Sequence, residues 1–424
     1  MNNGKILYDF CKDLWPICRS LTGNGVRKTL NYIKTIIPIN IHQVKSGTPA
    51  FDWNVPKEWN IREAYIIAPN GDKIADFHEN NLHVVGYSIP VNKKIPLEKL
   101  QEHLYSLDNN PDAIPFITSY YKERWGFCMT HNQRKKLKKG IYTVVINSEL
   151  KKGYLTYADL VIKGRSDKEV LLSTYICHPS MANNELSGPA VATYIGKWLM
   201  QSSRKYTYRI VFIPETIGSL VYLSKHLKHL KEKVIAGYIL SCLGDDKMYS
   251  WMPSRTGTTY SDKIAKRVLE KKYPGYKTFS YLERGSDERQ YCSPGIDLPV
   301  ASLFRSKYDT YPEYHTSLDN LNFITPNGLN GGFQLVKDCI KEIEKNSVYT
   351  IKCLGEPQLG KHGLYPDVST KDSYSMVINM INLLAYADGT NDLPEICKLI
   401  NSTPGKLLPL AKKLSDAQLI DIID

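Results

Sequence analysis

The side chains of this 424-residue chain best suited to metal chemistry are His178, Glu185, Glu215 and His315. His178 and Glu185 belong to CHPSMANNELSG (177–188), which follows an apolar, β-branched run at 170–176 and precedes a helical pattern at 189–200. Two later segments repeat the layout. YRIVFI (208–213) ends in Pro214-Glu215-Thr216, and LPVASLF (298–304) leads after a loop to YHTSLDN (314–320). Short apolar runs of this kind read as buried strands, and open α/β sheets bind ligands beyond the carboxyl ends of their strands. Two imidazoles, one carboxylate ligand and a second carboxylate to move a proton form the inventory of a mononuclear zinc hydrolase.

The elements that must position these groups can be read in order. Apolar residues at helical spacing over 7–37, broken by Thr22-Gly23-Asn24-Gly25, predict two helices around a turn. Arg19 and Arg27 flank that turn, either as exposed helix-end charges or as anchors for an anionic substrate group. From 51 to 128 the texture changes to short strands with turn signals, including a hairpin closed by Asn70-Gly71, and Trp53, Trp59 and Trp125 gather there. Alternation of strands and helices resumes at Ile141 and runs to 343, which predicts a three-layer α/β/α sandwich with a mixed sheet. After a Gly/Pro-rich stretch at 355–366, helical patterns at 373–387, 393–400 and 406–414 resemble a winged helix-turn-helix. Its last helix carries Lys406, Lys412 and Lys413 but no Arg, Asn or Gln to read base edges, so docking or dimerisation is expected there instead of DNA reading. The expected divisions are 1–50 with 129–350, an inserted β-rich module at 51–128, a linker at 351–372 and a helical domain at 373–424.

Composition narrows the class. Hydrophobic residues make up 42% and charged residues 23%, an ordinary globular balance. No apolar run approaches the roughly 18–20 residues of a membrane span, and no signal-peptide core follows Met1, so a cytoplasmic protein without membrane contact is expected. The nine cysteines form no CxxC pair and sit within apolar runs, as reduced packing thiols do. Cys177, beside His178, is read as one of these. A net charge of +12 raises the question of nucleic acid, but the longest basic run, 134–139, lies between apparent domains. The charge is read as a bias toward anionic substrates or surfaces. The expected partners are a small-molecule or short-peptide substrate and a second copy in a homo-oligomer, not nucleic acid.

The pieces CHPSMANNELSG, PETIGS and YHTSLDNL, in this order, resemble the zinc aminopeptidase superfamily that includes glutamate carboxypeptidase and glutaminyl cyclase. LWPICRSLTGNGVRKTL, FDWNVPKEWNI, SYYKERWGFC and GEPQLGKHGLYP extend the resemblance to bacterial polysaccharide-biosynthesis proteins with an aminopeptidase-like domain. The resemblance implies that 51–128 is an insertion into the peptidase fold and that the setting is biosynthetic, with zinc as cofactor. It implies hydrolysis of an amide of a small amino acid, a peptide or an amino sugar. Co-catalytic members hold two zinc ions with five ligands, and here four of those positions read Ser180, Asn184, Thr216 and Ser241. The surviving set implied is His178, Glu185 and His315 as metal ligands, with Asp245, Asp246 or Asp287 as substitutes for Glu185, and Glu215 as catalytic base. Thr316 and Asp319 are expected to orient His315. A Ser-Asp pair marks the pocket border in the superfamily, so Ser286 and Asp287 are expected there, with Asp287 and Arg284 binding substrate. The ligand losses leave a second reading open, a catalytically decayed fold that binds a ligand or regulates a partner.

Overall fold

The computed structural model describes residues 3–120, 122–366 and 371–423. An eight-stranded sheet forms the centre, in the order Asn40–Lys45, Tyr154–Ile162, Thr207–Ile213, Glu169–Tyr175, Val234–Leu240, Val300–Phe304, Ser250–Met252, Lys277–Thr278. The four middle strands, from Thr207–Ile213 to Val300–Phe304, run parallel. Glu169–Tyr175 and Thr207–Ile213 are buried along their whole length, as a parallel strand covered on both faces must be; they are mainly apolar, and their two charged residues, Glu169 and Arg209, are paired with each other at 2.6 and 2.8 Å.

Two layers cover the sheet. On one face Gly4–Leu14, Asn24–Lys34, Ser187–Leu199, Tyr260–Lys272 and Pro326–Lys345 share one apolar core through Leu7, Val26, Val191, Ile264 and Phe333. On the other, Ile217–Lys233 packs Leu220, Val221 and Leu223 into a core that continues into the β-rich module through Trp59, Ile66, Val144 and Ile146. The observed three-layer architecture is the expected one. The module is therefore a continuation of the second layer, not a free-standing lid.

The module's boundary differs from the expected 128. Its four-stranded sheet runs Lys73–Ile74, Glu58–Ile67, Ile141–Lys151, Val91–Pro96, so Ile141–Lys151 is a central strand of the module and not a return to the main sheet. Tyr142, Val144 and Ile146 alternate inward along this strand, the period-two signature of a sheet with one wet face.

The C-terminal unit also starts earlier than expected. Val348–Ile351 pairs with Asp388–Asp392 and Ile420–Ile423 in a three-stranded sheet, so the first residue of the expected linker already belongs to a strand of this unit. Residues 367–370 of that linker lie outside the described residues. Helices Lys371–Tyr386, Leu393–Leu399 and Pro404–Asp416 stand where the three helical patterns predict them. The unit docks through Arg267, whose guanidinium donates to both oxygens of buried Asp392 at 2.7 and 2.8 Å. Among the described residues no helix is long and apolar enough to cross a membrane.

Candidate metal and catalytic site

The carboxyl ends of the parallel strands carry the candidate groups. Beyond Tyr175 the chain is tied to its neighbour by Ile176 N–H donating to Ile213 at 2.8 Å, then turns through Cys177 and His178. Ser180 takes a left-handed φ of 42°, and residues Ala182–Leu186 form a π-helical turn before helix Ser187–Leu199. Single π-turns recur at functional sites. Gly188 lets this helix approach the sheet: a Cβ there would lie 2.3 Å from the Leu240 carbonyl oxygen. Asp319 holds the turn from outside, its carboxylate accepting from the backbone N–H groups of Ala182, Asn183 and Asn184 at 3.1, 2.6 and 2.9 Å. This differs from the role expected of Asp319, since it braces the His178 loop and not His315. Thr316 likewise donates its hydroxyl to the Glu313 carbonyl.

His178 stands between two carboxylates. Its Nδ1 lies 3.0 Å from Glu185 Oε2, and its Nε2 lies 3.7 Å from Glu215 Oε2. Glu185 is fully buried and also meets Arg19, whose Nε sits 3.3 Å from Glu185 Oε1 and donates to the His178 carbonyl at 3.0 Å. Arg19 is thus a buried brace, not a substrate anchor, and Arg27 is paired with Glu58. Burial opposes charge on the His178 ring, but Cys177, Glu185 and Glu215 hold its pKa well above the ordinary histidine value. Burial pushes the Cys177 thiol up to about 11, in keeping with a packing role.

Glu215 follows Thr207–Ile213 through Pro214 and is partly open to solvent. Burial raises its pKa while His178 and Ser286 oppose the rise, and the Ser286 hydroxyl donates to Glu215 Oε1 at 2.5 Å. Asp287 has a different place from the one expected. It is wholly buried, and its Oδ1 accepts from Thr216 N–H at 2.7 Å and Ser219 Oγ at 2.9 Å, holding the strained Thr216 (φ 63°) at the start of helix Ile217–Lys233. Burial and the nearby Glu215 push its carboxyl up to about 8. Arg284 is exposed and stacks on Tyr281, 4.9 Å from the ring centre, and donates to the Tyr281 carbonyl. Arg289 stands beside Glu215, donating to Thr216 Oγ1 at 2.8 Å.

His315 completes the group from the far side. Its backbone has φ 53°, and its ring stacks on Tyr314 at 3.9 Å and lies 5.4 Å from the His178 ring. Burial and the neighbouring His178 lower its pKa to about 3, so the ring stays neutral. The module contributes here, which the sequence reading missed. Phe116 N–H donates to the His315 carbonyl at 2.8 Å, Pro115 bridges to Thr316, and the Phe116 ring is 5.1 Å from both imidazoles.

Two sets of groups could hold a metal ion. Cys177, His178 and Glu185 are the three-residue set, among the described residues, whose donor atoms all lie within 4.8 Å. That set is closed and buried, with the Arg19 guanidinium already against Glu185, which leaves it poorly suited to a catalytic ion. The other face carries His178 Nε2, Glu215 and the neutral His315, a wider group whose donor atoms do not all lie within that 4.8 Å of one another. The 3.7 Å between His178 Nε2 and Glu215 Oε2 is too long for a hydrogen bond and leaves that nitrogen without a carboxylate partner of its own. A carboxylate on the other ring nitrogen is the usual support for a ligating histidine. Three of the polar side chains around the loop are engaged within the protein: Ser180 accepts from Asn81, Asn184 from Tyr175 and Thr216 from Arg289.

Comparison with known proteins agrees with this architecture. Residues 8–346 match the model of a domain of unknown function, DUF4910, and residues 347–422 match a winged helix-turn-helix. A Clostridium acetobutylicum protein named for polysaccharide biosynthesis and an aminopeptidase-like domain is 45% identical over 397 residues, covering 93% of this chain and 91% of its own. A crystal structure of a peptidase-type protein from the same organism matches with a TM-score of 0.82 at 42% identity, covering 99% and 96% of the two chains. A zinc aminopeptidase from Bacillus subtilis matches in fold, with a TM-score of 0.57 at 14% identity over 80% of this chain and 95% of its own. The chain belongs to the DUF4910 family, an aminopeptidase-like α/β fold that here carries a C-terminal winged helix-turn-helix.

Proposed function

We propose that this protein is a metal-dependent amide hydrolase of aminopeptidase type, acting on a small amino acid, peptide or amino-sugar amide in a biosynthetic pathway. The observation that carries the reading is the division of the two ring nitrogens of His178, with Glu185 at Nδ1 and Glu215 near Nε2. His178 through Nε2 and His315 would hold a single zinc ion, with Glu215 beside them. Glu185 is then the group that orients His178, and not a ligand itself. A zinc ion at this place supplies polarisation of a scissile carbonyl. Glu215 accepts a proton from the attacking water and delivers it to the leaving amine, and its burial suits that work by bringing its pKa toward neutrality. Ser286 fixes the carboxylate's outer oxygen, and Phe116 excludes water from above the imidazoles.

The ligand-binding alternative draws support from one observation: Ser180, Asn184 and Thr216 are satisfied by protein groups in place of a second ion. Elemental analysis of purified protein, paired with an assay over aminoacyl and acyl amides, tests the choice. One equivalent of zinc with turnover supports the hydrolase. Metal-loaded protein that hydrolyses nothing in the panel favours the alternative.

A further inference from the structure

A cavity of about 650 Å³ lies between the N-terminal helices and the β-rich module, outside the group around His178. Lys28, Arg62 and His78 stand on its rim, Asn24 and Asn60 offer amides, and none of its lining residues is acidic. Among the described residues neither Lys28 nor Arg62 lies within ion-pairing reach of a carboxylate, and both are exposed. Of the two acids beside His78, Asp76 is bridged to Lys73, and Glu79 is exposed and outside the cavity's lining. Arg62 also sits where the pairing of Glu58–Ile67 with Ile141–Lys151 shifts register, between Ile61 and Glu63. Such bulges re-aim a side chain, often next to a binding site. The end of helix Asn24–Lys34 is not what attracts charge, because Asn60 Oδ1 already accepts from Asn24 N–H at 2.7 Å. The attraction comes from unpaired cations around a concave, amide-lined space of ligand size.

We propose that this cavity is a second ligand site, taking a phosphate-bearing small molecule of sugar-phosphate size. Lys28 and Arg62 hold the phosphate as charge-assisted donors, and the Asn24 amide meets hydroxyl groups, while Asn60 shapes the wall through its bonds to Asn24 N–H and Glu58. The site communicates with the His178 loop through its floor. Asn81 lines the cavity and donates from Nδ2 to Ser180 Oγ at 2.8 Å, two residues beyond His178. Occupancy therefore bears on the loop that displays His178 without any contact to the imidazole.

Isothermal titration of the full chain, treated with a chelator so that no metal site competes, tests this with glucose 1-phosphate, inorganic phosphate and glucose. The expected result is saturable binding of glucose 1-phosphate, weaker binding of phosphate and none of glucose. In the double variant Lys28→Glu/Arg62→Glu affinity should fall by about tenfold or more, as loss of two charge-assisted contacts demands, while Lys28→Arg/Arg62→Lys retains it. Absence of saturable binding at millimolar glucose 1-phosphate, equal binding of glucose, or undiminished binding in the charge-reversed variant would each overturn the proposal. None of these readouts depends on hydrolysis, so failure here leaves the reading of the His178 site untouched.

Discussion

His178 Nδ1 is hydrogen-bonded to Glu185 Oε2 at 3.0 Å, and the same glutamate is the charge partner of the buried Arg19. One carboxylate thus orients the imidazole and neutralises a guanidinium whose side chain is fully buried. Glu185→Gln keeps the shape but leaves Arg19 buried without its counter-charge. The expected cost is about 3–5 kcal/mol of unfolding free energy, with metal affinity lowered about 10- to 100-fold through the loosened ring. Urea denaturation and metal titration on the same preparation measure both. A variant as stable as the wild type would contradict the assignment of Glu185 as a brace.

Glu215 and Ser286 give a prediction about protons. The Ser286 hydroxyl donates to Glu215 Oε1 and favours the charged carboxylate, against the burial that raises its pKa. Ser286→Ala should move the acid limb of the kcat/KM profile to higher pH, because the base now protonates more readily. Glu215→Gln should retain metal while turnover falls roughly 10²- to 10⁴-fold if Glu215 is the base. If metal content falls with activity, Glu215 is a ligand instead.

Phe116 ties the module to the site. Its ring touches both imidazoles and its amide holds the His315 carbonyl. Phe116 is only half-buried, so Phe116→Ala should cost about 2 kcal/mol, below the range for a fully buried phenylalanine. Its main effect should be on metal affinity, since the backbone bond to His315 survives but the ring that packs the two imidazoles does not. Equal metal affinity in variant and wild type would reduce Phe116 to a passive cover.

Much of this site is legible in the sequence, and the part that is not has a common cause. His178 and Glu215 follow apolar strands within three residues, so the strand pattern alone brings them to one edge of the sheet, whereas His315 lies eleven residues beyond Phe304 and reaches that edge through a loop. Arg19, Asp319 and Phe116 act across 159, 137 and more than 60 residues, respectively, onto groups that no local pattern pairs with them. Glu185 illustrates the limit, because a carboxylate seven residues from a histidine gives no sign in sequence of which nitrogen it will face. The strand Ile141–Lys151 is a further case, because Ile141 and Val145 are apolar on the wet face and hide the alternating burial that marks it as belonging to the one-sided sheet.

The winged helix-turn-helix is fastened by Asp392, which is fully buried, receives both Arg267 nitrogens and caps helix Leu393–Leu399 by accepting from Glu395 N–H at 3.0 Å. Asp392→Asn removes the charge while keeping one acceptor, leaving Arg267 partly buried. Protease cleavage near residues 346–347 should become faster, and the 347–422 unit should melt apart from the rest in calorimetry. A single unchanged transition would mean that apolar contacts, not this ion pair, hold the unit.

The last prediction concerns Glu58, which joins the N-terminal helices to the module. It receives Arg27 at 2.5 and 3.2 Å, Tyr154 N–H at 2.9 Å and Asn60 at 3.0 Å, in a nearly buried position. Burial alone would raise its pKa, but the Arg27 guanidinium and the Tyr154 and Asn60 donors outweigh it and bring the value down to about 2. In the unfolded chain a glutamate titrates near 4.3. Because the folded value is the lower one, the stabilisation is complete above the unfolded pKa and drains away as pH falls toward the folded value. Linkage puts the contribution at about 3 kcal/mol at pH 7 and about 2 kcal/mol at pH 3.5. Glu58→Gln should therefore be less stable than the wild type at pH 7 by an amount of that order, and the gap should narrow by about 1 kcal/mol between pH 5 and pH 3.5, read from urea midpoints at each pH. A gap that stays constant across this interval would mean that Arg27 stabilises the junction through packing and hydrogen-bond geometry alone, without the charge of Glu58.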